Sequence, residues 1–258
     1  MSRPSVFCDL TQATFGAPVR HGAWELRTAL PAEMPALAAL RGLAFRGGGE
    51  DGDRFDARCL HLWIENRALC PGMPLATVRM QLHPAGDLAQ GYTAQFFDLG
   101  ALAQAPGPAL ELGRLCVHPD HQTPDTMRLI WAGLTRVVDA TGAARLIGCT
   151  SFAGNDPAVF GAALALLAAR HLGPEGLRPG ARVAGALDFT DRGVQLPGPE
   201  ALAQLPPLLR AYLSLGGWVG HDLVIDRDLG TCHVFTCVEI ATMPEARKRL
   251  LRALAGGG

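Results

Sequence analysis

The sequence predicts an α/β fold, a mixed twisted central sheet flanked by helices, with helical additions towards the C-terminal end. Three observations predict it. Segments with strand chemistry alternate with helical patterns through the middle of the chain (109–117, 124–140, 144–152, 157–171), which implies parallel pairing there. Apolar residues make up 48% of 258 positions and charged residues 18%, a core-forming composition rather than a disordered or fibrous one. Finally, the run ELGRLCVHPD, residues 111–120, sets an acid and a guanidinium three positions apart in an apolar strand that stops at Pro119. On a regular strand such residues point to opposite faces, so Glu111 and Arg114 share a face only across a bulge, which Gly113 tolerates.

Each element follows from local chemistry. Alternation around Trp24 and Leu26 predicts a first strand over 23–29, and Pro31 opens an amphipathic helix that runs to Phe45 and ends at the glycines of 47–49. The acidic segment GGGEDGDRFD leads to apolar strands at 60–65 and 75–82. The turn at Pro71 and Gly72 makes these a hairpin. A loop-rich insertion over 84–108 carries Tyr92, Phe96 and Phe97, and is followed by the 109–117 strand and a helix over 124–140. The buried strand 144–152 precedes a helix that starts at Asp156-Pro157 and ends near His171. Residues 173–200, rich in Gly and Pro, are expected to be irregular. LPPLLRAYLSL then predicts a short apolar helix, CHVFTCVEI a final strand and PEARKRLLRAL a closing basic helix. The expected organisation is an N-terminal extension (1–22), a core (23–172) and a C-terminal part (173–258) that completes the sheet within the same domain.

Bulk properties exclude several classes of function. A net charge of −1 removes any general attraction to nucleic acid. Seven scattered cysteines without a CxxC pair fit neither a disulfide scaffold nor a zinc site, so reduced thiols and no metal are expected. The first twenty residues lack the continuous apolar core of a signal peptide, which predicts a cytoplasmic protein. The longest apolar stretch, 157–169, falls short of the roughly 20 residues that cross a bilayer. No GxGxxG or GxxxxGK[ST] phosphate loop is present, and His118 lacks the acid that an HxxxxD pair requires, since position 123 is Thr.

The candidate chemistry lies in polar residues inside or beside apolar elements: Arg41, Asp53, Asp56, Arg79, Glu111 and Arg114. Arg79 stands in a hydrophobic strand, where an unpaired charge is expensive, so Glu111, Asp53 or Asp56 is its expected partner. A carboxylate in an apolar strand is suited to bind an ammonium group, or to take its proton and prepare an amine to attack a thioester. Nearby arginines favour carboxylate or phosphate groups on substrates. Cys116 and Cys149 lie in apolar strands without a histidine partner and read as buried thiols rather than nucleophiles.

The blocks DRFDARCLHLWI (53–64), YTAQFFDLGAL (92–102), ELGRLCVHPDH (111–121), LIGCTSFAGNDP (146–157), ARHL (169–172) and LPPLLRAYLSLGGWVGHDLVIDRDLGTCHVF (205–235) occur in the order seen in a known family. In these blocks the chain resembles the bacterial ornithine N-acyltransferases, a GNAT-like group. A more distant similarity, to acyl-homoserine-lactone autoinducer synthases, selects Arg41 with Phe45, Asp53 with Asp56, Arg79, and Glu111 with Arg114.

The resemblance implies a GNAT-like acyltransferase fold for the core and transfer of a 3-hydroxyacyl chain from acyl carrier protein to the α-amine of ornithine. It implies Glu111 as amine-binding residue or general base, with Arg79 and Arg114 organising it. Arg41, Phe45, Asp53, Asp56, Cys116 and Val117 are placed with substrate binding. The donor is the acylated phosphopantetheine of the carrier protein, and no permanently bound cofactor is expected. HQTPDTMR lacks the glycines of the usual pyrophosphate loop, which favours this arm over coenzyme A.

An acidic carrier protein calls for a basic docking patch. Arg247, Lys248, Arg249 and Arg252 form one candidate, and Arg136, Arg145, Arg170, Arg178 and Arg182 supply others. The apolar helix near 205–215 is either core or a peripheral contact with the inner membrane. The rival readings are the same reaction on glutamine, a catalytically silent acyl-carrier- or lipid-binding protein, and an autoinducer synthase.

Overall fold

The computed structural model describes residues 10–190 and 198–256, so the start of the N-terminal extension and residues 191–197 of the irregular region lie outside the described residues. In chain order the elements are α1 (Gln12–Phe15), β1 (Val19–His21), β2 (Trp24–Thr28), α2 (Met34–Arg46), β3 (Leu60–Asn66), β4 (Ala76–His83), α3 (Gly100–Ala103), β5 (Ala109–Val117) and α4 (Pro124–Thr141). They continue with β6 (Arg145–Ala153), α5 (Gly161–Arg170), β7 (Leu187–Asp188), α6 (Ala201–Gln204), α7 (Pro207–Ser214), β8 (Trp218–Asp226), β9 (Thr231–Glu239) and α8 (Glu245–Gly256). Two compact units result. Of the described residues, the first holds those from 10 to Leu82, Leu112–Ala143 and the part from Glu245; the second holds His83–Glu111 and Ala144–Pro244.

In the first unit the strand order is β1-β2-β3-β4-β5. β2, β3 and β4 pair antiparallel, with Leu26 opposite Ile64, and with Leu60 and His61 opposite Met80 and Arg79. The 60–83 hairpin therefore forms as expected. Side chains alternate across a strand, so β3 has an apolar face (Leu60, Leu62, Ile64) and a polar one (His61, Trp63, Glu65). α4 lies on the apolar face, because a Cβ at Gly133 would run into Leu62 and press on Leu26. Thr123 caps that helix, Pro124 opens it, and Gly142 ends it at φ 63°, a conformation that favours glycine. α8 docks on α4 through a bond from Arg136 Nε to the Ala255 carbonyl and an ion pair between Arg252 and Asp139. The polar face of β3 meets Arg41 of α2.

In the second unit the order is β5-β6-β9-β8-β7, with β6, β9, β8 and β7 successively antiparallel. On one face Phe152, Val219, Leu223 and Val234 pack with Leu164 and Leu167 of α5 and Leu209 of α7. On the other, Ile147, Val224 and Phe235 pack with Leu88, Phe97 and Leu102 of the 84–108 insertion. Buried Arg145 closes one end by pairing with Glu239 and donating to the carbonyls of Ala105 and Pro106. The apolar side of 205–215 belongs to this core: Leu205, Leu209, Tyr212 and Leu215 are buried. No helix among the described residues is long and apolar enough to cross a membrane.

Three local expectations are corrected. The segment 218–226, not assigned from the sequence, is a full strand whose register shifts between Val219 and Leu223, which interrupts the alternation that would have announced it. The helix expected from 157 begins as a 3-10 turn, Pro157–Phe160, before α5. The break in β5 falls on Arg114, at φ 49°, rather than on Gly113. Gly113 is needed for a different reason: a Cβ there would stand 3.0 Å from Arg79 Nε.

Candidate functional site

Each unit carries a buried polar cluster that includes residues expected from the sequence. In the second unit, Glu111 comes from β5 and His83 from the end of β4; both are buried. His83 Nε2 lies 2.8 Å from Glu111 Oε2. A carboxylate only accepts, so Nε2 carries the hydrogen, and Nδ1 is left without a hydrogen-bond partner among the described residues. Glu111 Oε2 also accepts from the Tyr92 N–H (3.2 Å), and Oε1 from the Thr93 N–H (2.6 Å). The carboxylate thus holds the turn Thr93–Gln95 by its first amides. Burial by itself would push the Glu111 carboxyl up. The hydrogen bond from His83, the charge of that ring when protonated, and the bonds from Thr93 outweigh burial and hold it below the ordinary range.

In the first unit, a loop with three aspartates is fastened by arginines from α2, β4 and β5. Arg41, fully buried, donates to both oxygens of Asp56 at 2.9 Å and to His61 Nδ1 at 3.0 Å. His61 Nε2 must then be the protonated nitrogen, and it donates to the Asp56 carbonyl at 3.0 Å. Burial pushes the His61 pKa down. Arg79 Nη1 bridges Asp53 (2.6 Å) and Asp56 (2.8 Å). Arg114 Nε donates to Asp51 Oδ2 at 2.7 Å, its guanidinium lies 3.4 Å from Asp53 Oδ2, and its carbon sits 6.0 Å from the centre of the Phe45 ring. Asp51 also accepts from Arg46. Burial would raise Asp56, but the Arg41 and Arg79 guanidinium groups and the Asp53 N–H bring it down to about 2. Cys116 is buried, and burial pushes its thiol up to about 12, so it stays protonated and unreactive.

Comparison with known proteins places this geometry. A model of the acetyltransferase (GNAT) domain matches residues 41–132. The L-ornithine N(alpha)-acyltransferase of Rhodobacter capsulatus is 37% identical over 175 residues, 67% of this chain and 67% of that protein. The chain belongs to the L-ornithine N(alpha)-acyltransferase family. The enzyme of the same name from Brucella abortus is 31% identical over 200 residues, covering 74% of this chain and 70% of that one. Among solved structures, FeeM, an N-acyl amino acid synthase from uncultured soil microbes, matches 93% of this chain and 98% of its own, with a TM-score of 0.50 at 11% identity. The expected GNAT-like fold is the fold found, and the chain is an acyltransferase.

In this member of the L-ornithine N(alpha)-acyltransferase family, Arg79 is met by Asp53 and Asp56, two of its three expected partners. Arg41, Asp53, Asp56, Arg79 and Arg114 come together in one network. Glu111 is met by His83, Tyr92 and Thr93. Val117 and Phe45 are half-buried. Sequence reasoning missed His83, His61, Asp51 and Gly91. The signal for His83 was present in β4, where Thr77, Arg79, Gln81 and His83 occupy every second position.

Gly91 shows how closely the second cluster is built. A Cβ there would run into Glu111 Oε2 and stand 3.0 Å from His83 Cε1. Gly91→Ala is therefore expected to displace the carboxylate, cost about 1–3 kcal/mol of stability and lower activity with it. Urea unfolding beside an acyl-transfer assay checks this, and an unaltered enzyme would show that the glycine is not required.

Proposed function

We propose that this chain transfers a 3-hydroxyacyl group from the phosphopantetheine arm of an acyl carrier protein to the α-amine of L-ornithine, forming a lyso-ornithine lipid. The observation that carries the reading is the buried Glu111–His83 pair. Glu111 accepts from His83, from the Tyr92 amide and from both the amide and the side chain of Thr93, so its lone pairs are taken up in fixing His83 and the turn. A carboxylate held below its ordinary range stays charged and stabilises the His83 ring when it takes a proton. With its Nε2–H on Glu111, His83 presents Nδ1 as a proton acceptor, the arrangement that fixes a catalytic histidine in one tautomer.

The chemistry balances on these residues. The α-ammonium releases one proton to water, and as the free amine attacks the thioester carbonyl His83 Nδ1 takes a second proton from the attacking nitrogen. The C–S bond breaks as the amide forms, and the departing thiolate recovers the proton from the imidazolium that Glu111 stabilises. In the other unit, the network of Arg41, Arg79, Arg114 and the three aspartates fastens the segment 51–58.

Two features support a carrier-protein donor. At the start of α4, Pro124 lacks an N–H, Thr123 already accepts from the Thr126 N–H, and Asp125 adds a negative charge. A coenzyme pyrophosphate would meet few free donors there. On α8, Arg247 and Arg249 are exposed, whereas Lys248 and Arg252 pair with Glu245 and Asp139. The exposed pair offers basic surface to an acidic carrier. The donor is tested with one 3-hydroxyacyl chain presented on acyl carrier protein and on coenzyme A, with ornithine as acceptor. The expected result is a kcat/KM higher on the carrier protein, and equal or faster turnover of the coenzyme A ester would overturn this part of the reading.

A further inference from the structure

β9 carries a histidine in the core of the second unit that no hydrogen bond accounts for. His233 is 2% exposed, and its Nε2 is buried without a partner among the described residues. The ring stands edge-on to Phe96, with centroids 4.6 Å apart, and 5.8 Å from Phe97. Burial lowers its pKa to about 4, so the imidazole is neutral near pH 7 and offers one donor and one acceptor. The large majority of such buried side-chain atoms are paired in native proteins, because leaving one unpaired costs as much as a lost hydrogen bond.

The surroundings indicate what could pair with it. Ser151 lies opposite His233 across β6 and β9, and Cys149 lies opposite Phe235, so these four side chains share a face. Along that face β6 passes from half-buried Cys149 to exposed Ser151 and Ala153, which leaves an approach beside the buried ring. The face is tied to Glu111 within the same unit. Glu111 holds the Thr93 amide, Thr93 Oγ1 lies 3.9 Å from Cys149 Sγ, and the turn that starts at Thr93 delivers Phe96 onto His233. Phe96, Phe97 and Phe235 lie along this face, and two of its buried polar atoms, His233 Nε2 and Thr231 Oγ1, have no partner among the described residues.

We propose that His233 is the residue that reads the acyl chain: its Nε2 hydrogen-bonds one hydroxyl near the carbonyl end of an otherwise apolar chain lying on this face. The inference rests on the acyl-transfer reading above. With the amine at His83, summing a hydrogen bond, the forming C–N bond, the two carbons to C3 and a second hydrogen bond spans roughly 10 Å. A neutral imidazole can donate to or accept from a hydroxyl, a ketone can only accept, and an unsubstituted chain leaves the nitrogen orphaned.

The test compares kcat/KM for 3-hydroxyacyl, 3-oxoacyl and unsubstituted acyl chains of one length on acyl carrier protein, using wild type, His233→Phe and His233→Gln. Wild type is expected to prefer the 3-hydroxy donor over the unsubstituted one by about tenfold or more. His233→Phe should bring that ratio near one by losing rate on the hydroxylated donor alone, with no loss of thermal stability. His233→Gln, which keeps a polar end, should retain part of the preference and carries the comparison if the Phe variant does not fold. A preference that survives in both variants overturns the proposal and assigns the nitrogen to an ordered water. So does a wild type that does not discriminate. Silence of the wild type with every donor and amine overturns the acyl-transfer reading itself, and this inference with it, a pattern distinct from undiminished turnover without discrimination.

Discussion

Glu111→Gln is expected to lower kcat by a factor on the order of 10²–10⁴ while leaving the protein folded. The substitution keeps the size of the side chain and an acceptor for the Tyr92 or Thr93 amide. It removes the negative charge that fixes the hydrogen on His83 Nε2, and the Gln amide can itself donate to that nitrogen, turning the imidazole into the tautomer that cannot take a proton at Nδ1. It also removes the charge that stabilises the imidazolium, so the loss should fall on kcat more than on KM for the amino acid. Steady-state kinetics with a melting curve of the same sample separates this from unfolding. Full activity in the variant would remove Glu111 from the chemistry and leave it as the clasp of the 92–95 turn.

The largest effect on stability is expected at Arg41. Arg41→Ala leaves half-buried Asp56 and buried His61 beside a cavity without their shared guanidinium, a loss of about 3–5 kcal/mol, which is a large part of the 5–15 kcal/mol that holds a typical domain together. A fall in the urea midpoint at constant m-value checks it, and a change under about 1 kcal/mol would contradict the network. The same network sets an acid limit. Asp56 has its carboxyl held at about 2 in the folded chain, below the ordinary value of 3.8, so its contribution is fully present above pH 4. It is lost as pH falls from about 4 to about 2. Asp56→Asn should lower stability at pH 7 and flatten its fall across that window.

Much of this was legible in the sequence because period and punctuation agree with the tertiary fold over most of the chain. The 60–83 hairpin, β5, α4 and β6 stand where alternation, Pro119 and Pro124 put them. β8 was not legible, since its register shift interrupts the pattern. The polar residues of the first unit were selected because a charge in an apolar strand or beside an acidic loop needs a partner, and the folded chain supplies one for each. What one-dimensional reading could not reach is the pairing itself. Asp51 looks like any acid in GGGEDGDRFD until Arg46 and Arg114 close on it, and Gly91 looks like a loop glycine until Glu111 is packed against it. His83 was the one omission with a visible signal, the polar alternation of β4. His233 had none, because a histidine in CHVFTCVEI reads as an ordinary core residue until its nitrogen is found without a partner.

The central claim is that the Glu111–His83 centre acylates the α-amine of ornithine. The most direct measurement incubates purified protein with 3-hydroxyacyl-loaded acyl carrier protein and an equimolar mixture of ornithine, glutamine and other amino acids, then identifies the product by mass spectrometry, with fragmentation to locate the amide. The account predicts Nα-(3-hydroxyacyl)ornithine as the main product. Acyl-glutamine as the main product, acylation at the ornithine side-chain amine, or no acylated amine at all would contradict it.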